Sequence, residues 1–390
     1  MKILITSDWY IPAVNGVVTS VKNLRRELEA RGHEVRVLTL SQNHRSCERD
    51  GVTYLGSVAA GLIYPGARLR TALAGKWVRE LIAWGPDVVH SQCEFSTFFL
   101  ARRIAEELEI PLVHTYHTVY EDYTHYFSPN VRFGKKAAAV FTRWAASHTD
   151  CLIAPTGKVR LLLQGYGVQK PVFVVPSGID LRHFQSEPDP LRQNDLKASL
   201  DIPRDRTVLV FVGRLAEEKR VEELLRLRAH MGKTGVTLLL VGDGPDRKRL
   251  ESIAQELGLT APDVGFAGMV PAEQVADWYQ LGDLFVSAST SETQGLTYAE
   301  ALAAGVPVLC RADPCLLGVV RDEENGWQYH SEEEFRQRLE SFLAHPQNRE
   351  ALSRCARETG EEYSAQRFAE RVEAIYLEQI ERSSLRRIPA

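Results

Sequence analysis

Short runs rich in valine, isoleucine and leucine alternate with longer segments of 3.6-residue period along the whole chain. In the first half the runs fall at 2–6, 35–40, 52–55, 87–90, 112–115, 151–154 and 172–175. The periodic segments there lie at 17–31, 68–84, 95–108, 133–147 and 157–165. A second series follows a polar, proline-containing stretch at 185–205. Its runs are 208–212, 237–241, 264–266, 284–287 and 306–309, and its periodic segments 221–230, 246–257, 272–281, 296–304 and 332–343. A strand buried on both faces has to be apolar throughout, so such runs separated by amphipathic helices predict parallel sheets between helical layers. A chain of 390 residues exceeds what one core fills. The expectation is an α/β protein of two Rossmann-like domains facing across a cleft, residues 1–178 and 179–363, joined near 176–189. A further periodic segment at 364–382 comes after the second sheet is complete. A C-terminal helix at about 364–390 that packs back on the first domain accounts for it.

Ligands of open α/β sheets bind beyond the carboxyl ends of the strands, so unusual residues there carry the chemistry. The stretch Ser291-Glu292-Thr293-Gln294-Gly295-Leu296-Thr297-Tyr298-Ala299-Glu300 follows an apolar run and opens a helix. Glu292 and Glu300 are eight residues apart. That is about two helical turns, which points the second back toward the turn that holds the first. The free N–H groups from Thr293 to Leu296 form an anion- or hydroxyl-binding helix start. Two carboxylates beside a row of donors suit a polyol that bears phosphate, which is to say a nucleotide sugar.

Other strand ends add to this. In Gly213-Arg214-Leu215-Ala216-Glu217-Glu218-Lys219, Arg214 and Lys219 reach one place above the sheet. They combine a rigid fork with a mobile point charge, a pair suited to a diphosphate leaving group. Asn15-Gly16-Val17 puts a glycine at a helix start after the first strand, where a diphosphate fits. The glycines of Gly242-Asp243-Gly244-Pro245 read first as a tight turn, with Gly244 beside a nucleotide as the second reading. Gly268-Met269-Val270-Pro271 offers backbone groups to a base. The segment 114–126 packs three histidines, two carboxylates and four tyrosines into 13 residues. There His117 is placed to donate to a sugar hydroxyl or phosphate oxygen, and Asp122 to hold an incoming hydroxyl. The i,i+4 spacing of His117 and Glu121 leaves a metal site as the rival reading. No D-x-D follows an apolar run. The expectation is a reaction with no metal and no cofactor beyond the nucleotide sugar as co-substrate, Arg214 and Lys219 standing where a cation would.

The net charge of −4 hides an asymmetry: residues 1–175 balance at +6 and residues 176–390 at −10. The basic half therefore faces something anionic. Its basic residues are not interleaved with stacking aromatics in a nucleic-acid motif, so nucleic acid is not expected as a partner. At 126–147, Phe127, Val131, Phe133, Val140, Phe141 and Trp144 are interspersed with Arg132, Lys135, Lys136 and Arg143, a basic amphipathic pattern that suits an anionic lipid interface. Tyr126 opens it, and Tyr120 and Tyr123 precede it. A weaker candidate of the same kind covers 62–84. No run approaches 18 apolar residues, and the first strand is too short for a signal peptide. The six cysteines lack C-x-x-C spacing and read as reduced thiols of a cytosolic protein.

Together these motifs resemble the glycosyltransferase family 4 enzymes. The Asn-Gly-Val loop, the histidine after a strand, Gly-Arg…Lys and Glu-x-x-Gly-Leu-x-x-x-Glu stand in that family's order. The resemblance implies a two-domain GT-B fold and transfer with retention of anomeric configuration, by same-face attack assisted by the leaving phosphate. It implies that Glu292 and the amides after it contact the donor sugar, Glu300 the ribose, Arg214 and Lys219 the diphosphate, and His117 the transferred sugar. Gln294 stands where phenylalanine is frequent. With the 114–123 segment and Asp313-Pro314-Cys315-Leu316, it is similar to the subgroup that glucosylates diacylglycerol. That subgroup implies UDP-glucose as donor, the 3-hydroxyl of diacylglycerol as acceptor, and a peripheral place on the cytoplasmic membrane face. Other acceptors remain open, among them phosphatidylinositol, a polysaccharide, a protein or a small thiol precursor. A nucleotide-sugar epimerase and a non-catalytic sensor are the rivals from other classes. Sugar identity, base and oligomeric state are not readable.

Overall fold

A computed structural model describes residues 1–13, 15–61, 67–121, 131–186, 189–232 and 234–386, with only the backbone of Val131. The chain divides into two compact units, Met1–Gly178 with Ala365–Ala390, and Ile179–Ser364.

The first unit runs β1 (Lys2–Ser7), α1 (Gly16–Ala30), β2 (Glu34–Leu40), β3 (Cys47–Arg49), β4 (Val52–Leu55), β5 (Val58–Ala59), β6 (Arg68–Leu69), α2 (Lys76–Trp84), β7 (Val88–Ser91), α3 (Ser96–Leu108), β8 (Leu112–Thr115), α4 (Val131–Ser147), β9 (Cys151–Ala154), α5 (Gly157–Gly165) and β10 (Val172–Val174). Its main sheet has the order β10-β9-β8-β7-β1-β2-β4-β3, parallel except for the β3–β4 hairpin. Alternate residues feed two cores. Ile3, Ile5, Val37, Val88 and Val113 lie on one face, and Leu4, Leu38, Val89 and Leu112 on the other. Both faces are covered, as a parallel sheet requires.

The second unit runs α6 (Pro190–Ser199), β11 (Thr207–Val212), α7 (Val221–His230), β12 (Val236–Val241), α8 (Arg247–Glu256), β13 (Val264–Gly268), α9 (Val275–Tyr279), β14 (Leu284–Ser287), α10 (Leu296–Ala303), β15 (Val308–Arg311), β16 (Gly326–Tyr329), α11 (Glu332–Ala344) and α12 (Arg349–Glu361). Its six strands are parallel in the order β13-β12-β11-β14-β15-β16. Numbered from its own first strand this is 3-2-1-4-5-6, the order of dinucleotide-binding sheets.

The last helix, α13 (Ala365–Arg386), belongs to the first unit. Phe368, Val372, Ile375 and Tyr376 complete the core that holds Ile3 and Ile5. The Tyr376 hydroxyl meets His90 Nδ1 at 2.6 Å, and Glu373 takes hydrogen bonds from Arg31 and His33.

Several segments depart from the sequence reading. Residues 68–84 are not one helix: β6 comes first and only Lys76–Trp84 is helical. Arg68 donates to Ser57 Oγ and O, and Arg70 to Gly56 O, which holds this stretch extended. The stretch 185–205 is not a plain linker. Asp189 caps α6 by accepting from Leu191 N at 2.9 Å, with Pro190 in the first turn. β16 and α12 lie where no strand or helix was expected. β16 carries no β-branched run, and α12 turns small residues inward, Ala356 and Gly360 among them.

Candidate active site

In the second unit the strand order reverses between β11 and β14. Connections leave such a reversal toward opposite faces, so a crevice opens at the carboxyl ends of those two strands. The loop Gly213–Lys219 follows β11, and Ser291–Gly295 follows β14. They meet there. Lys219 Nζ donates to Glu292 Oε1 at 2.6 Å, and Ser291 Oγ donates to Glu218 O at 3.2 Å. Burial works against the Lys219 charge, but the charge and hydrogen bond of Glu292 outweigh it, and the ammonium pKa sits above its usual value. An ammonium has three N–H groups, and this bond uses one.

Two backbone features hold these loops in place. Gly295 opens α10 in a left-handed conformation, φ +74°, where a Cβ would sit 2.5 Å from the Tyr298 ring. On the β11 side, a Cβ on Gly242 would lie 2.0 Å from Gly213 O, and one on Gly244 would lie 2.2 Å from Leu215 O. These glycines let the β12 turn press against the loop that carries Arg214, which is half-buried. Gly244 thus has a packing reason of its own. Gln294 is buried, Thr293 and Leu296 are half-buried, and Val270 packs against the core that contains Phe285 and Tyr298. Glu300 lies within α10, where its Oε2 accepts from the Tyr279 hydroxyl at 2.8 Å. Burial raises the Glu300 pKa, and the Tyr279 bond offsets part of the rise. Tyr279 was not singled out from the sequence; a tyrosine at the end of a short helix carries no local signal.

The first unit has its own reversal, between β7 and β1. The ladder continues past β7, with Gln92 N donating to Thr6 O of β1 at 2.8 Å. This sets Asp8 beside Gln92-Cys93-Glu94, and the segment after β8 joins them. His117 Nε2 lies 2.7 Å from Gln92 Oε1. With the amide oxygen accepting, His117 carries its proton on Nε2 and a lone pair on Nδ1. Burial, with His114 second, pushes the His117 pKa down to about 3, so the ring is neutral at physiological pH. Glu94 accepts from the Tyr120 hydroxyl at 2.5 Å and pairs with His114 Nε2 at 3.1 Å. Asp8 Oδ1 accepts from Thr97 N at 2.9 Å, at the start of α3. Burial, reinforced by the Glu94 charge, lifts the Asp8 pKa from 3.8 to about 7. Asp8, Gln92 and Glu94 were not singled out from the sequence. Each follows a strand, but only the strand order shows that those strands flank a reversal.

Asn15, rather than Gly16, makes the specific contact at the first helix start: its Oδ1 accepts from Val18 N at 3.0 Å. Gly16 is the first residue of α1 and Val17 is half-buried. Asp122, Tyr123 and Tyr126 lie outside the described residues. On α4, Arg132, Lys135, Lys136 and Arg143 are exposed, as are Phe133 at 69% and Val140 at 57%. Lys135 pairs with Glu121 at 3.4 Å. Trp144 is half-buried, stacked on Phe141 and tilted against Phe99. Among the described residues no group of three or more His, Cys, Asp and Glu side chains is arranged to hold a metal ion. His117 follows β8 in irregular backbone, so it and Glu121 share no helix face. All six cysteines are free thiols. No helix of the described residues is long and apolar enough to cross a membrane.

Comparison with known proteins adds to this geometry. The model of Glycosyltransferase Family 4 matches residues 14–183, and that of Glycosyl transferases group 1 matches residues 192–359. An alpha-monoglucosyldiacylglycerol synthase of Streptococcus pneumoniae is 34% identical over 386 residues, 97% of this chain and 86% of that protein. One of Acholeplasma laidlawii is 33% identical over 396 residues, 98% of each chain. Among solved structures, sucrose-phosphate synthase from Thermosynechococcus elongatus matches with a TM-score of 0.76 at 22% identity, covering 97% of this chain and 98% of that one.

Proposed function

The chain belongs to the glycosyltransferase family 4 enzymes, is a hexosyltransferase of the GT-B fold, and, on that premise, we propose that it makes a membrane glycolipid by moving glucose from UDP-glucose to the 3-hydroxyl of diacylglycerol. The observation that carries the donor half is the Lys219–Glu292 pair across the β11/β14 reversal. It sets a cation and a sugar-hydroxyl acceptor side by side at the start of α10. Lys219 shares its remaining N–H groups with the diphosphate, Arg214 adds its fork, and the α10 amides complete the anion site. Glu292 accepts from sugar hydroxyls and Glu300 from the ribose. The bond from the anomeric carbon to the phosphate oxygen breaks, and the acceptor oxygen bonds to that carbon on the same face. The acceptor's proton goes to the departing phosphate, and configuration is retained. Fixed cations absorb the charge of the diphosphate without a metal ion.

The acceptor half rests on the likeness to the two alpha-monoglucosyldiacylglycerol synthases and on α4. An exposed Phe133 and Val140 among Arg132, Lys135, Lys136 and Arg143 suit an anionic lipid surface, here the cytoplasmic face of the membrane. The experiment is a donor screen with UDP-glucose, UDP-galactose and GDP-mannose against diacylglycerol vesicles containing phosphatidylglycerol, with the product linkage read by NMR. The expected product is an α-glucosyl diacylglycerol. No lipid product from any donor, a preference for another donor, or a β linkage would refute the reading.

A further inference from the structure

The first unit's strand-order reversal gathers more polar groups than its packing uses. Gln92 is only 2% exposed, yet its Nε2 has no hydrogen-bond partner among the described residues. The same holds for Asp8 Oδ2 and for His114 Nδ1. Buried polar atoms are nearly always paired, and leaving one unpaired costs about 1–3 kcal/mol. Three such atoms belong to residues that share one neighbourhood. Asp8 and Gln92 follow adjacent parallel strands in register, Thr6 beside Ser91. His114 and Gln92 are one hydrogen bond from Glu94 and His117 respectively. Around Asp8 stand Thr97 and Phe95 from the start of α3, and Cys93 and Glu94 from the end of β7. No cation is among these groups. Asp8, Trp9, His117 and Thr118 are half-buried, so the cluster reaches the surface on that side.

The chemistry of the unpaired atoms is specific. Asp8 Oδ2 accepts a hydrogen bond and Gln92 Nε2 donates one. An alcohol O–H donates once and accepts through its lone pairs, so one hydroxyl can satisfy both. A phosphate would meet the Asp8 carboxylate and the Glu94 charge, and is disfavoured. A metal ion would need a third ligand in reach, which the described residues do not arrange. We propose that Asp8 and Gln92 form the seat of the acceptor's free hydroxyl as it docks, with Oδ2 accepting its hydrogen bond until transfer, when that proton passes to the departing phosphate, and Nε2 donating to its oxygen. Gln92 spends its oxygen on His117 and its nitrogen on the acceptor, so one side chain orients both the histidine and the alcohol. The inference rests on the proposed transfer to an alcohol and names the residues that recognise it.

The test uses the full chain with UDP-glucose and dioleoylglycerol in phosphatidylglycerol vesicles. Asp8→Asn and Gln92→Leu are measured for acceptor kcat/KM, for UDP-glucose affinity by calorimetry, and for acceptor-independent release of UDP. Both variants should lose about 10- to 100-fold in acceptor kcat/KM; in Asp8→Asn, which leaves the His117–Gln92 contact intact, UDP-glucose affinity and UDP release should stay within twofold. In the wild type, acceptor kcat/KM should rise with pH through about 7, where Asp8 ionises, and Asp8→Asn should flatten that rise. Unchanged acceptor kinetics in both variants, or an equal loss of donor affinity, overturns the assignment. A wild type that binds UDP-glucose but glucosylates no lipid refutes the proposed function itself, and this seat with it.

Discussion

Replacing Asp8 with asparagine should stabilise the first unit above neutral pH and leave it unchanged in acid. An unfolded aspartate gives up its proton near 3.8, whereas folded Asp8 keeps its proton up to about 7. Between those values the native state holds one proton more than the unfolded chain, so stability falls as pH rises; above pH 7 both states are ionised and the fall stops. Each pH unit in the window is worth about 1.4 kcal/mol, so the whole window removes on the order of 4 kcal/mol. Asparagine keeps the oxygen that accepts from Thr97 N and brings no charge, so its contribution has no such slope. For a unit of this size about 1 kcal/mol shifts Tm by roughly 2–4 °C, which puts the variant's advantage on the order of 10 °C at about pH 8 and near zero at about pH 4. Differential scanning calorimetry of both proteins across that range cancels the groups they share. A Tm difference that does not change with pH, or a variant less stable than the wild type at about pH 8, would refute the claim that burial of the Asp8 charge drives the effect.

Three further outcomes follow from single contacts. Lys219→Met removes the cation beside Glu292 and should lower kcat by about 10²–10³-fold in a UDP-glucose transfer assay, with the circular dichroism spectrum unchanged. Gly295→Ala puts a Cβ against the Tyr298 ring in a left-handed residue, which should cost about 1–3 kcal/mol and weaken UDP-glucose binding in the same calorimetric titration. Tyr376→Phe leaves His90 Nδ1 without its partner in the core of the first unit and should cost about 1–3 kcal/mol by urea unfolding, while UDP-glucose affinity stays at the wild-type value.

Much of the architecture was legible because a strand covered on both faces must be apolar without interruption. Val208–Val212 and Leu284–Ser287 announce themselves for that reason. Elements at the margins are less visible. Gly326–Tyr329 lies at the edge of its sheet beside β15, and its Gly-Trp-Gln-Tyr sequence has no apolar run to detect. Arg349–Glu361 packs on α10 through Ala356 and Gly360, so closely that a Cβ on Gly360 would lie 2.5 Å from Ala303 backbone. Small residues that let helices approach leave little hydrophobic period to read. The site divides in the same way. Glu292, Arg214 and Lys219 could be placed at strand ends from local pattern. Their pairing could not, since 73 residues separate Lys219 from Glu292. The Tyr279–Glu300 bond and the Asp8–Gln92–Glu94 grouping depend on which strands lie side by side, a long-range fact.

The two strand-order reversals use opposite electrostatics, and this difference bears on what each can bind. In the second unit a half-buried lysine is matched with a carboxylate, and the pair keeps the ammonium charged. On the proposed function, an arriving diphosphate would meet a fixed, partly desolvated positive charge, so little reorganisation would be needed when negative charge develops on the leaving group. In the first unit no described cation answers Asp8, and burial together with the Glu94 charge holds its proton to about pH 7. A second anion would raise the energy of such a place. A neutral hydroxyl lowers it, by donating to whichever Asp8 oxygen is unpaired. The formal balance of each half points the same way only weakly, because the basic excess of the first half includes the exposed Arg132, Lys135, Lys136 and Arg143 on α4, none of which acts on Asp8. On the proposed function, net charge would bear on the surface offered to anionic lipid, whereas a preference for diphosphate or alcohol would follow from which charges at the strand ends are paired.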